Sequence, residues 1–159
     1  MDHDGSGERQ LTPAGGAAAG GLFPAWSPDG NSIAYSNGAG INLVRPDGRG
    51  RRPLGVAGEC SVWSPDGSEL MFCSNGVNRG EGVDNWDVFV MNAWGHQKRN
   101  VTKSGDVTSA GASWSPDGTR LVFARGTLQT IGSTAPFGQP TELLGRSTGG
   151  TCEDDEAHP

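Results

Sequence analysis

The apolar residues of the chain fall in short β-rich runs punctuated by turns. Ser32-Ile33-Ala34-Tyr35, Glu69-Leu70-Met71-Phe72 and Arg120-Leu121-Val122-Phe123 form one equivalent set. Second runs, Ile41–Val44 and Asp87–Met91, follow the first two, and each ends in a turn, Arg45–Gly48 or Asn92–Gly95. Short closing runs come next, Arg51–Leu54 and Lys98–Thr102. Ahead of each unit stands a small or apolar stretch (LFPA, CSV, GAS) and then the pentapeptide WSPDG, at 26–30, 63–67 and 114–118. Four strands per unit joined by tight turns is the pattern of an antiparallel meander.

The pentapeptide is itself a turn prediction. Proline pre-sets φ at the second turn position, aspartate suits the third, and glycine takes the left-handed conformation that ends the turn. A type I turn followed by such a glycine bulge is a common hairpin connection. Pairing Ser64 with Ser68 across it places Val62 opposite Leu70 and Cys60 opposite Phe72 on one face. Trp63, Glu69 and Met71 then share the other. Apolar groups on both faces predict a sheet covered on both sides, which a stack of four-stranded sheets provides.

Composition and charge narrow the function. Of 159 residues, 27 are glycine and 10 proline, which suits short strands with many turns. A net charge of −6 excludes a nucleic-acid backbone as the expected partner. No run approaches the length of a membrane span. The polar, acidic start of the chain does not read as a signal peptide. Three cysteines, Cys60, Cys73 and Cys152, are too few and too irregular for a zinc site or a disulfide scaffold.

The WSPDG turn, the following [IL]-x-[FY] strand, the xDG turn and the basic-Leu or basic-Val-Thr strand together resemble the repeats of TolB-like β-propellers. The same repeat occurs in the propellers of tricorn-type and prolyl-oligopeptidase-like peptidases. The resemblance covers about residues 1–126. It implies an all-β fold, a partial β-propeller of four-stranded blades, that meets ligands or proteins at the tunnel mouth and rim loops. Residues 1–12 then read as the trailing strand of a preceding blade, 22–56 and 59–103 as blades, 110–144 as a partial or degenerate blade with Thr141–Leu144 as its closing strand, and 145–159 as a disordered acidic tail. Three blades leave two uncovered faces, so the chain is expected to be a fragment or to pair with a second copy in a six-bladed ring.

Function is expected to be non-catalytic binding, with no cofactor and no metal. By resemblance to TolB proteins the partner is a protein, a peptidoglycan-associated lipoprotein in their case, and the compartment is periplasmic or otherwise extracytoplasmic. Nothing in the chain resembles the N-terminal α/β domain of those proteins. The rival expectation is a piece of the gating propeller of a serine peptidase.

The strongest binding candidate is an insertion at 78–87 in the second blade, a rim loop. There Arg79, Asp84, Asn85 and Asp87 surround Trp86, an aromatic anchor with polar neighbours. Other motifs have simpler explanations. Asp29, Asp66 and Asp117 read as turn formers, and Trp26, Trp63 and Trp114 as packing residues. The stretch Asp2–Glu8 has alternating oxygen ligands but lacks a full calcium loop. Gly145–Gly149 matches G-x-S-x-G, with Asp154 and His158 following, yet no strand–turn–helix context can be built around it. In the register above Cys60 and Cys73 lie on opposite faces, so free thiols are expected. Asn100-Val101-Thr102 is a glycosylation sequon within a closing strand. The acidic run Cys152–Glu156 with His158 reads as a solvated terminus.

Overall fold

In the computed structural model, residues 3–12, 20–75, 86–103, 108–126 and 142–147 are described, with 108–110, 126 and 142–147 described by backbone alone. They form three antiparallel sheets. The first contains β1 (Leu22–Trp26), β2 (Ile33–Asn37), β3 (Gly40–Val44) and β4 (Arg52–Pro53). The second contains β5 (Glu59–Trp63), β6 (Glu69–Ser74), β7 (Asp87–Asn92) and β8 (Arg99–Asn100). The third has β9 (Thr108–Trp114), β10 (Arg120–Gly126) and β11 (Glu142–Ser147), in the spatial order β9-β10-β11. The strand expected at 141–144 as a closing one is thus β11, paired directly with β10 and running to Ser147, past the boundary drawn for the tail. No α-helix occurs among the described residues.

Each WSPDG turn is held by its own side chains. Ser64 Oγ donates to Asp66 Oδ1 at 2.6 Å and accepts from Glu69 N at 2.9 Å, while Asp66 Oδ1 also accepts from Ser68 N at 3.0 Å. The same bonds recur from Ser27 and Asp29, and from Ser115 and Asp117. These bonds correct the expected register. The Asp carboxylate pulls the residue after Gly67 into the loop, and Ser64 N donates to Glu69 O rather than pairing with Ser68. Trp63 therefore faces Leu70 and Val62 faces Met71. A slip of one residue moves every side chain to the other face, so Trp63, Leu70 and Phe72 share a face instead of being divided.

A bulge follows the same repeat. Three residues before each tryptophan, Phe23, Cys60 and Gly111 take φ of 52, 56 and 62°. In each case two residues of the first strand oppose one aromatic of the second, Tyr35, Phe72 or Phe123. Left-handed φ is costly outside glycine, so two of the three blades hold a strained residue there. Close approach accompanies it: a side chain on Gly58 would come within 2.6 Å of the Phe72 ring. The bulge overturns a second expectation, because it turns Cys60 toward Cys73. Both pack on one cluster with Met71, Val88, Val90, Leu121 and Phe123, and both are free thiols.

The sheets stack through their apolar faces. Between the first and second lie Ala34, Ile41 and Leu43 from one side and Trp63, Leu70, Phe72 and Met91 from the other. Trp63 is only 9% exposed and donates its indole N–H to Ala25 O at 3.2 Å. Trp114 repeats this contact to Val62 O at 3.4 Å. Ile33, Tyr35 and Val44 form a third cluster on the far side of the first sheet, with Leu11 against it.

Two outcomes follow from this packing. Trp63→Ala removes a buried ring and its hydrogen bond, and is expected to lower unfolding free energy by about 3–5 kcal/mol in urea titrations. Asp29, Asp66 and Asp117 are each held at about 2, below the ordinary 3.8, first by the Ser hydroxyl two residues earlier and then by backbone N–H groups. A depressed carboxylate stabilises the fold above 3.8 and loses that contribution as pH falls toward 2. NMR titration of the three side chains should give midpoints near 2 in the folded chain, and Ser64→Ala should raise that of Asp66 alone.

Candidate functional site

An antiparallel meander sends alternate connections to opposite ends of each sheet. One end carries the WSPDG turns and the turns at 45–48 and 92–95, all short and internally bonded. The other carries the connection between the second and third strands, whose length varies between sheets. It is a tight turn in the first, where Asn37 Oδ1 accepts from Ala39 N at 2.9 Å. Residues 75–86 make this connection in the second sheet and 127–141 in the third.

Of the five residues expected to form a rim site, Arg79, Asp84 and Asn85 lie outside the described residues. Trp86 and Asp87 stand where the 75–86 connection meets β7. Trp86 is half-buried against the Met71–Val88–Phe123 cluster. Asp87 is 8% exposed, and its carboxylate points into the protein. Asn100 Nδ2 donates to its Oδ2 at 2.7 Å and Thr102 Oγ1 to its Oδ1 at 2.8 Å. Thr102 Oγ1 in turn accepts from Val88 N at 3.1 Å. The start of β7 is therefore bolted to the closing strand, with Trp86 packed on the core cluster beside it.

Asn100 and Thr102 were visible in the sequence only as a sequon. Their role is to hold Asp87, and Asn100 Oδ1 also accepts from Thr102 N at 3.1 Å and Lys103 N at 2.9 Å. Both ends of the Asn100 amide thus serve the loop base, its nitrogen toward Asp87 and its oxygen toward the backbone of Thr102 and Lys103. The signal available in advance was the spacing: Asp opens the third strand and an Asn-x-Thr closes the fourth, so the two meet at one rim.

The remaining motifs are ordinary structure where they are described. Asp4 Oδ1 accepts from Ser6 N at 2.9 Å, a bond within its own turn that lowers the Asp4 pKa. Among the described residues no three His, Cys, Asp or Glu side chains gather as a metal site. Gly145, Arg146 and Ser147 belong to β11, whereas Thr148, Gly149, Asp154, His158 and the acidic run lie outside the described residues. Burial raises the Cys73 thiol to about 11, with Cys60 adding to the shift, and burial raises Cys60 too. Neither is a poised nucleophile.

Asp87→Ala leaves two donors without their acceptor at the loop base. Loss of about 1–3 kcal/mol is expected from thermal unfolding, together with faster amide exchange at Val88 and Thr102.

No protein-family model matches the sequence, and no curated protein matches it either. Solved structures do. The chain is similar to a putative TolB from Agrobacterium tumefaciens, with a TM-score of 0.62 and 18% identity over 81% of this chain and 46% of that one. It is similar to TolB from Acinetobacter baumannii, with a TM-score of 0.58 and 23% identity over 82% of this chain and 30% of that one. A nidogen/laminin complex matches at a TM-score of 0.51 with 17% identity, over 64% of this chain and 41% of that one. The chain thus spans less than half the length of each. Its three stacked antiparallel sheets have the fold of a partial β-propeller with TolB-like blades.

Proposed function

We propose that the chain is a non-catalytic propeller module that binds a protein partner at the rim carrying its long connections. The observation that supports this is the contrast between the two rims. One is closed by short turns whose hydrogen bonds stay within the turn or run to the adjacent segment, and the other carries connections of variable length on a rigid base. Binding residues concentrate on such loops. In this reading Trp86 makes the contact together with Arg79, Asp84 and Asn85, and Asp87 fixes the start of β7 against the closing strand. No cofactor takes part. The likeness to TolB supports an extracytoplasmic, periplasmic setting. A second copy of the chain is also a partner in this reading, closing a six-bladed ring.

The test is chemical cross-linking of the purified chain in a bacterial envelope fraction, read by mass spectrometry. A single protein species should be captured, and lost with the Arg79→Ala/Asp84→Ala double variant while the β-sheet circular dichroism is unchanged. Capture that survives the double variant, or none at all, sinks the rim assignment. Capture of a chain with an α/β-hydrolase domain would favour a peptidase propeller.

A further inference from the structure

Adjacent sheets meet through tryptophan and turn contacts that occur twice among the described residues, and the first two sheets meet through an outer-edge contact as well. Trp63 and Trp114 each donate to the carbonyl preceding the tryptophan of the sheet before, Ala25 or Val62. The proline of one turn lies over the glycine of the next: a side chain on Gly67 would meet Pro28 at 3.5 Å, and one on Gly118 would meet Pro65 at 3.5 Å. At the outer edge Arg52 of β4 donates to Ala93 O at 3.3 Å, and Leu54 sits against Gly95.

Each half of this set also occurs without its complement. On the first sheet Trp26 is 60% exposed, and a side chain at Gly30 would have nothing within 4 Å. Yet residues 9–11 already occupy the outer-edge position. Arg9 donates to Pro46 O, and Leu11 lies 3.8 Å from where a Gly48 side chain would be, as Arg52 and Leu54 do one junction on. No described strand pairs with residues 9–11. A cleft of about 390 Å³ separates them from Trp26. On the third sheet the opposite half is open. Pro116 and Ser113 are exposed, Val122 is 38% exposed where its counterpart Met71 is 1%, and β11 is the edge of a sheet with three described strands instead of four.

We propose that the third sheet of a second copy docks on the first sheet of this one and takes residues 9–12 as its fourth strand. This rests on the reading above that a second copy is a partner, and specifies the junction. The first two sheets set the register: Leu43 faces Arg52 and Asn42 faces Pro53, as Val90 faces Arg99 and Phe89 faces Asn100. By equivalence of β11 with β3 and β7, Arg9 pairs with the partner's Gly145 and Gln10 with the partner's Leu144. Trp26 donates to the partner's Ser113 carbonyl, and the partner's Pro116 covers Gly30. Strand addition to an open edge supplies main-chain hydrogen bonds without new side-chain chemistry. The contact is head-to-tail, so it forms a closed ring only if the rotation closes. Two copies of three blades fall within the range at which propellers close.

Light scattering on the whole chain should give twice 16.5 kDa, and Trp26→Ala should weaken self-association about tenfold or more. For the register, the Gln10→Cys chain is mixed with the Leu144→Cys chain under glutathione disulfide. That reagent takes two electrons as the two thiols lose their protons, leaving two glutathione thiols and one protein disulfide. Leu54 N bonds to Ile41 O, so 53/42 is a non-hydrogen-bonded pair with Cα atoms about 4.5 Å apart, close enough for a disulfide. The matching 10/144 pair should cross-link two different chains, identified by peptide mapping against the unsubstituted protein. A single-chain mass at all concentrations overturns the second-copy reading and the junction together. A stable pair that ignores Trp26→Ala and gives no 10–144 peptide overturns the junction alone.

Discussion

A four-stranded sheet with apolar side chains on both faces cannot stand alone in water, and the rest of this structure depends on that constraint. Phe72 and Leu70 point one way from β6, and Met71 and Cys73 the other, and all four are buried. Burying such side chains on one face contributes roughly 1.5–3 kcal/mol each, while an uncovered second face would forfeit as much. Stacking is therefore obligatory, and at the two junctions inside the chain Trp63 and Trp114 carry it. Each packs at the junction between sheets and donates its indole N–H to a carbonyl of the sheet before, so the junction is apolar in its area and polar in its alignment.

The bulge and the turn serve the same junction. The turn sets the register that brings Trp63 and Leu70 to one face. The bulge, three residues earlier, absorbs an extra residue opposite the aromatic of the second strand and lets a glycine backbone close over the Phe72 ring. Bulges bend a strand and increase its twist, and one at the same place in every blade keeps successive sheets superimposable. Strain at Phe23 and Cys60 persists because the surrounding sheet over-determines it.

In the proposed reading, binding separates from this scaffold by geometry. The WSPDG turns bond mainly within themselves, and the turns at 45–48 and 92–95 give their spare carbonyls to arginines of the neighbouring segment, which leaves that rim short and regular. Length and variety sit at the opposite rim, where Asp87, Asn100 and Thr102 lock the start of β7 to the closing strand. A loop on so firm a base can vary in sequence without disturbing the blade.

The five-residue turn, the strands beside it and the repeat of the blade were legible in the sequence because their causes are local. Proline, aspartate and glycine act within one turn, and a β-rich run needs no distant partner to be recognised. The loop holds one residue more than a glycine-bulge turn implies, because the Ser64–Asp66–Ser68 bonds compete with the bulge and the letters alone do not rank them. The face occupied by Cys60, and the inward turn of Asp87 toward Asn100, required knowing which strands meet. The tryptophans show the division most clearly. Trp26, Trp63 and Trp114 stand in identical pentapeptides and identical turns, yet Trp63 is 9% exposed and Trp26 is 60%. Local chemistry determined the turn that carries each ring; only the presence of a neighbouring sheet decided which ring is buried, because burial is a property of two surfaces and not of one segment.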